Sequence, residues 1–364
     1  MSNSIPSFAS SEQASPASAP ARSPAAAPRP LLEIERLSTH YVSARGARIV
    51  RAVDDVSLRI NAGETLGIVG ESGSGKSTLA LTILRLLPPA ARVAAGRMLF
   101  EGEDLLAKSD AEMRRVRGKR IAMILQDPMA SLNPLFTIGD QVAEPIRVHE
   151  GATRATAWAR ARKLLEAVRI PSPQTRLSQH PHEMSGGMRQ RIVGAIGISC
   201  EPRLLIADEP TTSLDLTIQA QYLNLLRELQ RAHGLALIFI THNLGIVAKM
   251  CDQLAVMYAG RVVEQGPVKQ IFKAPAHPYT KALLSSIPRM SDGRRRLTAI
   301  EGQPPDLAAL PPGCAFAPRC PSAFDRCREA EPPELMSADG GAVRCWLAAR
   351  ADAPPSAPLA NGAV

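Results

Sequence analysis

Apolar and polar positions follow two different periods along the first part of the chain. Residues 31–37 and 49–60 mix apolar and polar side chains as half-buried strands do, and we expect them to form an antiparallel edge layer. Residues 65–69 predict a short apolar strand that runs into a glycine-rich turn. Residues 77–87 then place apolar side chains at helical spacing, so a strand, a loop and a helix follow in order.

Short apolar runs and helical patterns continue to alternate further along the chain. Residues 120–125, 204–207 and 236–240 are typical of buried strands. Residues 155–168 and 218–233 have the apolar spacing of helices. This alternation predicts an α/β fold whose core is a mainly parallel sheet, with the antiparallel layer at its edge.

The two ends of the chain differ in composition from this α/β region. Residues 1–30 are rich in Ala, Pro and Ser and lack the basic start and apolar block of a secretory signal, so we expect a disordered leader. Proline becomes frequent from about residue 275. We therefore predict a main domain over residues 31–274, a C-terminal extension over 275–350 and a disordered tail over 351–364.

Length and charge narrow the class of protein. The 364 residues allow one large domain with appendages. No run of the roughly 20 apolar residues that cross a bilayer occurs, so a partner would have to span any membrane that the protein serves. The net charge is +9, but the basic residues are spread along the chain, which favours a solvated basic surface over a site for nucleic acid or anionic lipid.

Residues 70–77, Gly-Glu-Ser-Gly-Ser-Gly-Lys-Ser, match the phosphate-binding P-loop pattern G-x-x-x-x-G-K-S/T. The match lies between a predicted strand and a predicted helix, which is the context that the motif requires. Glycines allow backbone N–H groups to surround phosphate oxygens, and the helix N-terminus adds a positive dipole end. Lys76 would reach the terminal phosphates of ATP, and the Ser77 hydroxyl would bind Mg²⁺.

Two consecutive carboxylates follow the predicted strand at residues 204–207. A P-loop enzyme needs a carboxylate at a neighbouring strand end to hold its metal ion, and Asp208 is the candidate. Glu209 would point in a different direction, where its carboxylate can polarise the water that attacks the γ-phosphate. The sequence therefore predicts a site that binds and hydrolyses ATP with Mg²⁺.

A third motif gives the chain a family resemblance. Residues 184–188, Met-Ser-Gly-Gly-Met, resemble the signature motif that distinguishes ABC ATPases from other P-loop proteins. The resemblance covers roughly residues 31–287, and the motifs occur in the family's order. Met184 stands where Leu or Phe is usual and Met188 where Gln is common, but neither change removes a phosphate donor, so we predict an active ATPase.

The resemblance assigns roles to residues that single motifs leave open. Gln126 matches the Q-loop glutamine, His242 the switch histidine and residues 213–215, Ser-Leu-Asp, the D-loop, while Tyr41 is the candidate for stacking on adenine. The residues expected to bind nucleotide are Tyr41, Gly70, Ser72, Gly73, Gly75, Lys76, Ser77, Thr78, Ser185, Gly186, Gly187 and Asp215. Those expected to act in hydrolysis are Lys76, Gln126, Glu209 and His242, and those expected to bind Mg²⁺ are Ser77, Gln126 and Asp208.

The resemblance also implies a helical signature subdomain and a dimer. In the family, two nucleotide-binding subunits pack head to tail, so that the signature of one closes over the ATP held by the P-loop of the other. Ser185 and the N–H groups of Gly186 and Gly187 at a helix start would form this second anion-binding surface. Hydrolysis would then remove the γ-phosphate and let the dimer open.

Three further segments resemble one branch of the family. Residues 180–191 are similar to the signature region of peptide-importer ATPases, and residues 276–284 to the C-terminal extension of oligopeptide, dipeptide and nickel uptake ATPases. Residues 126–134 are similar as well, in the region where these ATPases receive a coupling helix of the permease. The resemblance implies ATP-driven uptake of di- or oligopeptides, with nickel or another small solute as the alternative cargo.

The expected partners follow from this branch. They are two transmembrane permease subunits, a second ABC ATPase subunit, either identical or different, and indirectly an extracytoplasmic solute-binding protein, with no nucleic acid. The protein would then be peripheral, on the cytoplasmic face of the inner membrane. A soluble ABC ATPase of DNA repair or translation is the rival, but such proteins typically carry a long coiled coil or two cassettes, and this sequence has one cassette and no coiled coil.

Four cysteines crowd into the proline-rich extension. Cys314, Cys320, Cys327 and Cys345 have the spacing C-x5-C-x6-C-x17-C, in a segment with little core of its own, where a metal would stabilise the fold. The spacing fits neither a C-x2-C zinc site nor a common ferredoxin pattern. Similar importer subunits carry this arrangement with an iron–sulfur cluster, so a [4Fe-4S] cluster is expected, with zinc, and free thiols or disulfides, as the alternatives.

Overall fold

A computed structural model describes most of the chain. The described residues are 29–43, 46, 48–211, 214–287, 300–336 and 341–349. Most of the predicted leader, the whole predicted tail and Ser213 of the predicted D-loop lie outside these residues. The predicted domain limits at the two ends therefore stay predictions.

The described strands include every strand that the hydrophobic pattern predicts. Their bounds are β1 (Leu32–Val42), β2 (Ile49–Ile60), β3 (Thr65–Val69), β4 (Ala91–Phe100), β5 (Glu103–Asp104), β6 (Ile121–Ile124), β7 (Leu204–Asp208), β8 (Ala236–Ile240), β9 (Gln253–Tyr258), β10 (Arg261–Pro267), β11 (Leu335–Met336) and β12 (Ala342–Val343). The pattern missed β4, β5, β9 and β10, and the two last strands belong to the extension, where no strand is expected from the sequence.

These strands form two sheets. The antiparallel sheet has the order β2-β1-β4-β5, and the larger sheet has the order β11-β12-β10-β9-β3-β8-β7-β6. In the larger sheet β9, β3, β8, β7 and β6 run parallel, whereas β10, β12 and β11 continue it antiparallel. The predicted α/β fold with a mainly parallel core and an antiparallel edge layer is confirmed.

The central strands are short and apolar because both of their faces are covered. Every residue of β3, β7 and β8 is buried, which is the pattern of strands in the middle of a parallel sheet. Their carboxyl ends lie at one edge, since Ile68 of β3 pairs with Ile240 of β8 and Asp208 of β7 pairs with the same Ile240. The residues that follow these strands therefore meet in one place.

Helices connect and cover the strands. Their bounds are α1 (Lys76–Ile83), α2 (Asp110–Val116), α3 (Pro128–Ser131), α4 (Ile138–Glu150), α5 (Arg154–Ala167), α6 (Pro173–Arg176), α7 (Gly186–Ile198), α8 (Leu216–His233), α9 (Leu244–Met250), α10 (Val268–Lys273), α11 (Pro278–Ser285) and α12 (Asp325–Glu329). Helix α1 is shorter than predicted because Arg85 adopts a left-handed backbone at φ 51°. Among the described residues, no helix has the length and apolarity needed to span a bilayer.

Three helices form a separate layer around the signature motif. Ile138, Val142 and Ile146 of α4 recur every four residues and are fully buried, together with Ala161 of α5 and Ile192 of α7. Helix α4 begins after Thr137, whose hydroxyl accepts the Asp140 N–H at 3.2 Å. This layer is the helical subdomain that the family resemblance implies.

The extension shares its core with the main domain. Tyr258 of β9 contacts the rings of Tyr279 and Phe316, with centroid distances of 4.6 Å and 5.3 Å. Strand β12 pairs with β10, which extends the main sheet. The described part of the extension is therefore packed onto the main domain through a common hydrophobic cluster and a common sheet.

Candidate functional site

The P-loop needs glycine at two positions because other chain segments come close. Gly70 has a φ of 154°, and a Cβ atom there would lie 2.1 Å from the Met257 carbonyl oxygen. Gly75 has a φ of 100°, and a Cβ atom there would lie 2.1 Å from the Ala52 carbonyl oxygen. Any larger residue would therefore displace the loop or its neighbours.

Lys76 lies at the centre of the loop with its ammonium group held by loop oxygens. Its Nζ atom donates to the carbonyl oxygens of Gly70 and Glu71 at 2.8 Å each, and to Ser74 Oγ at 3.3 Å. Burial lowers the pKa of Lys76, while the nearby charges of Glu209 and Asp208 act in the opposite direction. The cation is thus oriented by the loop and flanked by two carboxylates.

Asp208, at the end of β7, is a buried carboxylate with spare bonding capacity. It is 5% exposed, and its Oδ1 atom has no hydrogen-bond partner. Burial raises the pKa of Asp208, and a hydrogen bond with the Ser77 hydroxyl opposes that rise. A buried oxygen without a partner, next to a hydroxyl, suits Mg²⁺, which takes oxygen ligands and few of them from protein.

Glu209 joins the two other polar residues that the family resemblance selects. Gln126 Nε2 donates to Glu209 Oε2 at 3.2 Å, and His242 Nδ1 lies 3.2 Å from Glu209 Oε1. Glu209 adopts a left-handed backbone with a φ of 45°, and its N–H donates to the Ile240 carbonyl at 2.9 Å. The Glu209 carboxylate is therefore held in a group with Gln126 and His242, here called the Glu209 group.

One open cleft, with a volume of about 510 Å³, contains the P-loop residues and the group formed by Gln126, Glu209 and His242, whereas Asp208 is not among its lining residues. Its lining residues are Tyr41, Val50, Ala52, Gly70, Ser72, Gly73, Gly75, Lys76, Ser77, Thr78, Gln126, Glu209, His242 and Leu307. The sequence predicts eleven of them; Val50, Ala52 and Leu307 were missed. Val50 and Ala52 lie on predicted strand β2, but Leu307 comes from the proline-rich extension, where no sequence signal marks it.

The signature residues and Asp215 do not line this cleft. Ser185 caps α7, and its Oγ atom accepts the Met188 N–H at 3.3 Å. Asp215 caps α8 by accepting the N–H groups of Thr217 and Ile218 at 3.0 Å and 2.9 Å. In a single chain these residues therefore stabilise two helix starts, and they are separate from the P-loop.

The four cysteines of the extension lie around one small cavity. Cys314, Cys320, Cys327 and Cys345 line it together, and all four are free thiols. Its volume is about 20 Å³, which is close to the space that one water molecule needs. Burial raises the pKa of Cys314 to about 11 and raises those of Cys320 and Cys345. The described residues contain no group of three or more side chains placed to hold a metal ion, so this geometry does not support the expected cluster or zinc.

Comparison with known proteins gives two family matches. Residues 53–212 match the ABC transporter family, and residues 263–327 match the C-terminal region of oligopeptide/dipeptide transporters. The oligopeptide transport ATP-binding protein OppD of Haemophilus influenzae is 47% identical over 321 residues, which cover 88% of this chain and 98% of that protein. The dipeptide transport ATP-binding protein DppD of Bacillus subtilis is 49% identical over 318 residues, which cover 87% and 94%.

Solved structures agree with the fold. The dimeric structure of MJ0796, a bacterial ABC transporter cassette, superposes with a TM-score of 0.59 at 25% identity. The superposition covers 65% of this chain and 98% of that cassette. A second solved structure, cbiO1 from Clostridium perfringens, gives a TM-score of 0.57 at 28% identity and covers 67% of this chain and 91% of that one.

Proposed function

The chain belongs to the ABC transporter family of ATP-binding proteins, and we propose that it is the ATP-hydrolysing subunit of a membrane importer that takes up di- or oligopeptides. The observation that carries this proposal is the cleft in which the P-loop meets Gln126, Glu209 and His242, with Asp208 bonded to the P-loop residue Ser77. The match of residues 263–327 to the C-terminal region of oligopeptide/dipeptide transporters supports peptide as the cargo.

Binding of ATP begins at the P-loop. Without nucleotide, the Lys76 ammonium donates to the carbonyl oxygens of Gly70 and Glu71. When ATP binds, its phosphate oxygens replace these carbonyls as the acceptors for Lys76. Ser77, Asp208 and Gln126 would hold Mg²⁺, which neutralises charge on the phosphates when bound. The apolar side of the cleft, with Tyr41 and Val50, is left for the adenine ring.

Hydrolysis uses the Glu209 group. The Glu209 carboxylate orients a water molecule and polarises its O–H bond while the water oxygen bonds to the γ-phosphorus. The bond from that phosphorus to the bridging oxygen breaks, and ADP leaves with the electron pair. His242 and Gln126 hold the carboxylate in place, since each lies 3.2 Å from one of its oxygens. The products are ADP, phosphate and a proton.

A second ATPase subunit completes the site in this proposal. Ser185, Gly186 and Gly187 lie outside the cleft of their own chain, which supports their use on the ATP of a partner. The solved structure of the cassette MJ0796 is dimeric, which supports the pairing of two ATPase subunits. The second subunit is either a copy of this chain or a different ABC ATPase.

The permease contact is proposed next to the Gln126 loop. Leu135 and Phe136 directly follow that loop and are 81% and 54% exposed. Adjacent large apolar side chains on the surface favour an interaction site. We assign them to the contact with two membrane-spanning permease subunits, which would hold this subunit at the cytoplasmic face of the cell membrane. The solute-binding protein outside the membrane would act only through the permeases.

A metal at the four cysteines stays a prediction, and no step of the mechanism depends on it. Protein isolated without oxygen would be brown with broad visible absorbance if a [4Fe-4S] cluster were bound, and colourless with one zinc per chain if zinc were bound. Colourless protein without metal would assign the four residues as buried thiols.

The function is tested by isolating the Glu209→Gln variant from detergent-solubilised cells in the presence of ATP. This variant should bind ATP without turnover and stay closed on its partners, so mass spectrometry should find multi-span permeases and an ATPase subunit. The Lys76→Ala variant, which cannot hold the phosphates, is the control for ATP-dependent closure. Recovery of ribosomal or DNA-repair proteins without any permease would overturn the importer assignment.

A further inference from the structure

One arginine of the extension reaches the P-loop. Arg319 Nη1 donates to Glu71 Oε2 at 2.7 Å, and Nη2 donates to Glu71 Oε1 at 3.0 Å. Glu71 is the second residue of the P-loop, so this two-pronged ion pair joins the extension to the loop that binds phosphate. The Arg319 side chain is 5% exposed, whereas the Glu71 side chain is 26% exposed.

The backbone N–H and carbonyl groups of Glu71 are also held by hydrogen bonds. The Glu71 N–H donates to the Tyr279 hydroxyl at 2.9 Å, and the Glu71 carbonyl accepts from Lys76 Nζ at 2.8 Å. Tyr279 belongs to α11 of the extension and is fully buried. The position of Glu71, and with it one of the oxygens that orient the Lys76 ammonium, is thus fixed by two side chains of the extension.

Arg319 also holds the segment that enters the cleft. Its Nε atom donates to the Glu301 carbonyl at 2.9 Å, and Nη2 donates to the Ile300 carbonyl at 3.3 Å. This segment continues to Leu307, which lines the nucleotide cleft and whose carbonyl accepts the Arg51 N–H at 3.1 Å. One guanidinium group therefore connects the phosphate end of the cleft with a segment that forms its wall.

The surroundings of Arg319 favour a fixed position. The guanidinium lies 5.8 Å from the Tyr258 ring centre and 6.0 Å from that of Phe316, and Nη1 donates to the Tyr258 hydroxyl at 3.2 Å. Such packing restricts the rotamers of a long side chain before any ligand arrives. Because the bonds between Arg319 and Glu71 exist before phosphate binds, the P-loop loses less conformational entropy on binding.

We propose that Arg319 is a positioning residue of the nucleotide site, through which the C-terminal extension sets the affinity for ATP. The inference rests on the proposed ATPase function and concerns its regulation. Cys320 follows Arg319 directly and lies on the cysteine cavity. A change at that cavity which shifts the chain at residues 319 and 320 is expected to reach the P-loop through Glu71.

The test compares two arginines of the extension. Arg344 is also nearly buried, with 13% of its side chain exposed, and it pairs with Asp55 of the main domain at 2.8 Å. Neither Arg344 nor Asp55 lines the cleft among the described residues. Arg319→Ala and Arg344→Ala therefore both remove an ion pair between extension and main domain, but only the first removes a bond to the P-loop.

Calorimetric titration with ADP and Mg²⁺ measures affinity without turnover. Arg319→Ala should raise the Kd about tenfold, the size of effect expected for a lost charge-assisted pair, and should raise the KM for ATP more than it lowers kcat. Arg319→Lys, which keeps the charge but cannot form both bonds, should fall between this variant and the unaltered protein. Arg344→Ala should lower the unfolding temperature while its Kd stays within about twofold.

Equal Kd values for Arg319→Ala and Arg344→Ala would overturn the proposal. If Arg319→Ala does not fold, Glu71→Gln removes the same charge pair from the other side at constant size, and an unchanged Kd in that variant would overturn the proposal as well. If the unaltered protein does not bind ADP at all, the proposed ATPase function fails first, which distinguishes the two failures.

Discussion

The nucleotide cleft and the cysteine cavity both bring reactive side chains together, but they differ in openness and in the protonation state of those side chains. The cleft is open, and Asp208 offers a buried oxygen without a hydrogen-bond partner. The cavity has room for about one water molecule, and burial raises the pKa of the Cys314 thiol to about 11. The two regions therefore differ in the space that they offer and in the protonation state of their side chains when no ligand is bound.

The largest expected effect tests whether the Glu209 carboxylate of the cleft acts in ATP hydrolysis. Glu209→Gln keeps the size of the side chain but removes the carboxylate, so steady ATP hydrolysis should fall about a thousandfold while ATP binding is retained. The measurement is phosphate release together with equilibrium binding of ATP. Glu228→Gln, which changes an exposed glutamate paired with Arg169, is the control and should keep full turnover. Unchanged hydrolysis in Glu209→Gln would contradict the role given to this residue.

The second prediction concerns the closed character of the cysteine cavity. Because burial raises the pKa of Cys314 to about 11, almost none of it is thiolate at pH 8. After treatment with a chelator, iodoacetamide should therefore modify Cys314 at least ~100-fold more slowly in the folded protein than in urea. Peptide mapping by mass spectrometry measures this rate. Rapid modification of the folded protein would mean that the cavity is open, and the contrast with the cleft would fail.

The third prediction concerns the backbone that forms the cleft. Gly75→Ala would place a Cβ atom 2.1 Å from the Ala52 carbonyl at a φ of 100°, so the free energy of unfolding should fall by about 3 kcal/mol and ATP binding should be lost. Gly151→Ala is the matched control, because Gly151 has a φ of 65° and no atom within 4 Å of the added Cβ. It should lower the unfolding free energy by only about 1 kcal/mol and leave ATP binding intact. Equal losses would contradict the argument from close approach.

The smallest effect concerns the ion pair between Arg344 of the extension and Asp55 of the main domain. Burial raises the pKa of Asp55, but hydrogen bonds from Arg344 and Arg36 outweigh this and leave its pKa below the usual value. A carboxylate whose pKa is lower in the folded protein than in the unfolded chain stabilises the fold at pH values above its unfolded-state pKa. This contribution disappears as the pH falls through the folded-state pKa. Asp55→Asn should therefore reduce the unfolding free energy at pH 7 by about 1 kcal/mol, after allowing for solvent screening, and by less near pH 3.

Denaturant unfolding at pH 7 and pH 3 measures the Asp55 effect. Asp325→Asn is the control, since the Asp325 side chain is 94% exposed and its pairing with Arg328 at 3.6 Å is in solvent. It should change stability at neither pH. An Asp55→Asn loss that is the same at both pH values would assign the effect to packing instead of charge.

The sequence predicted the contiguous parts of the site and not the parts that come from distant segments. The P-loop is a local motif, so Gly70, Gly75 and Lys76 could be identified without a structure. The grouping of Gln126, Glu209 and His242 followed from the family resemblance, because each follows a different strand. Nothing in a proline-rich segment marks Leu307 or Arg319, since their roles depend on how the extension packs.

The secondary structure shows the same limit. Strands β3, β7 and β8 were predicted because continuous apolar runs are a strong signal for buried strands. Strands β11 and β12 contain two residues each and exist only because they pair with each other and with β10. A pattern that short has no periodicity of its own, so the extension could not be seen to continue the main sheet.

Uptake of labelled peptides tests the central claim most directly. In cells that lack this chain, uptake of a panel of di- to pentapeptides would be measured after restoring either the unaltered protein or Glu209→Gln. The account predicts that deletion lowers uptake of at least one peptide, that the unaltered protein restores it, and that Glu209→Gln does not. Uptake that is unaffected by deletion across the panel, or that Glu209→Gln restores in full, would contradict an ATP-driven peptide importer.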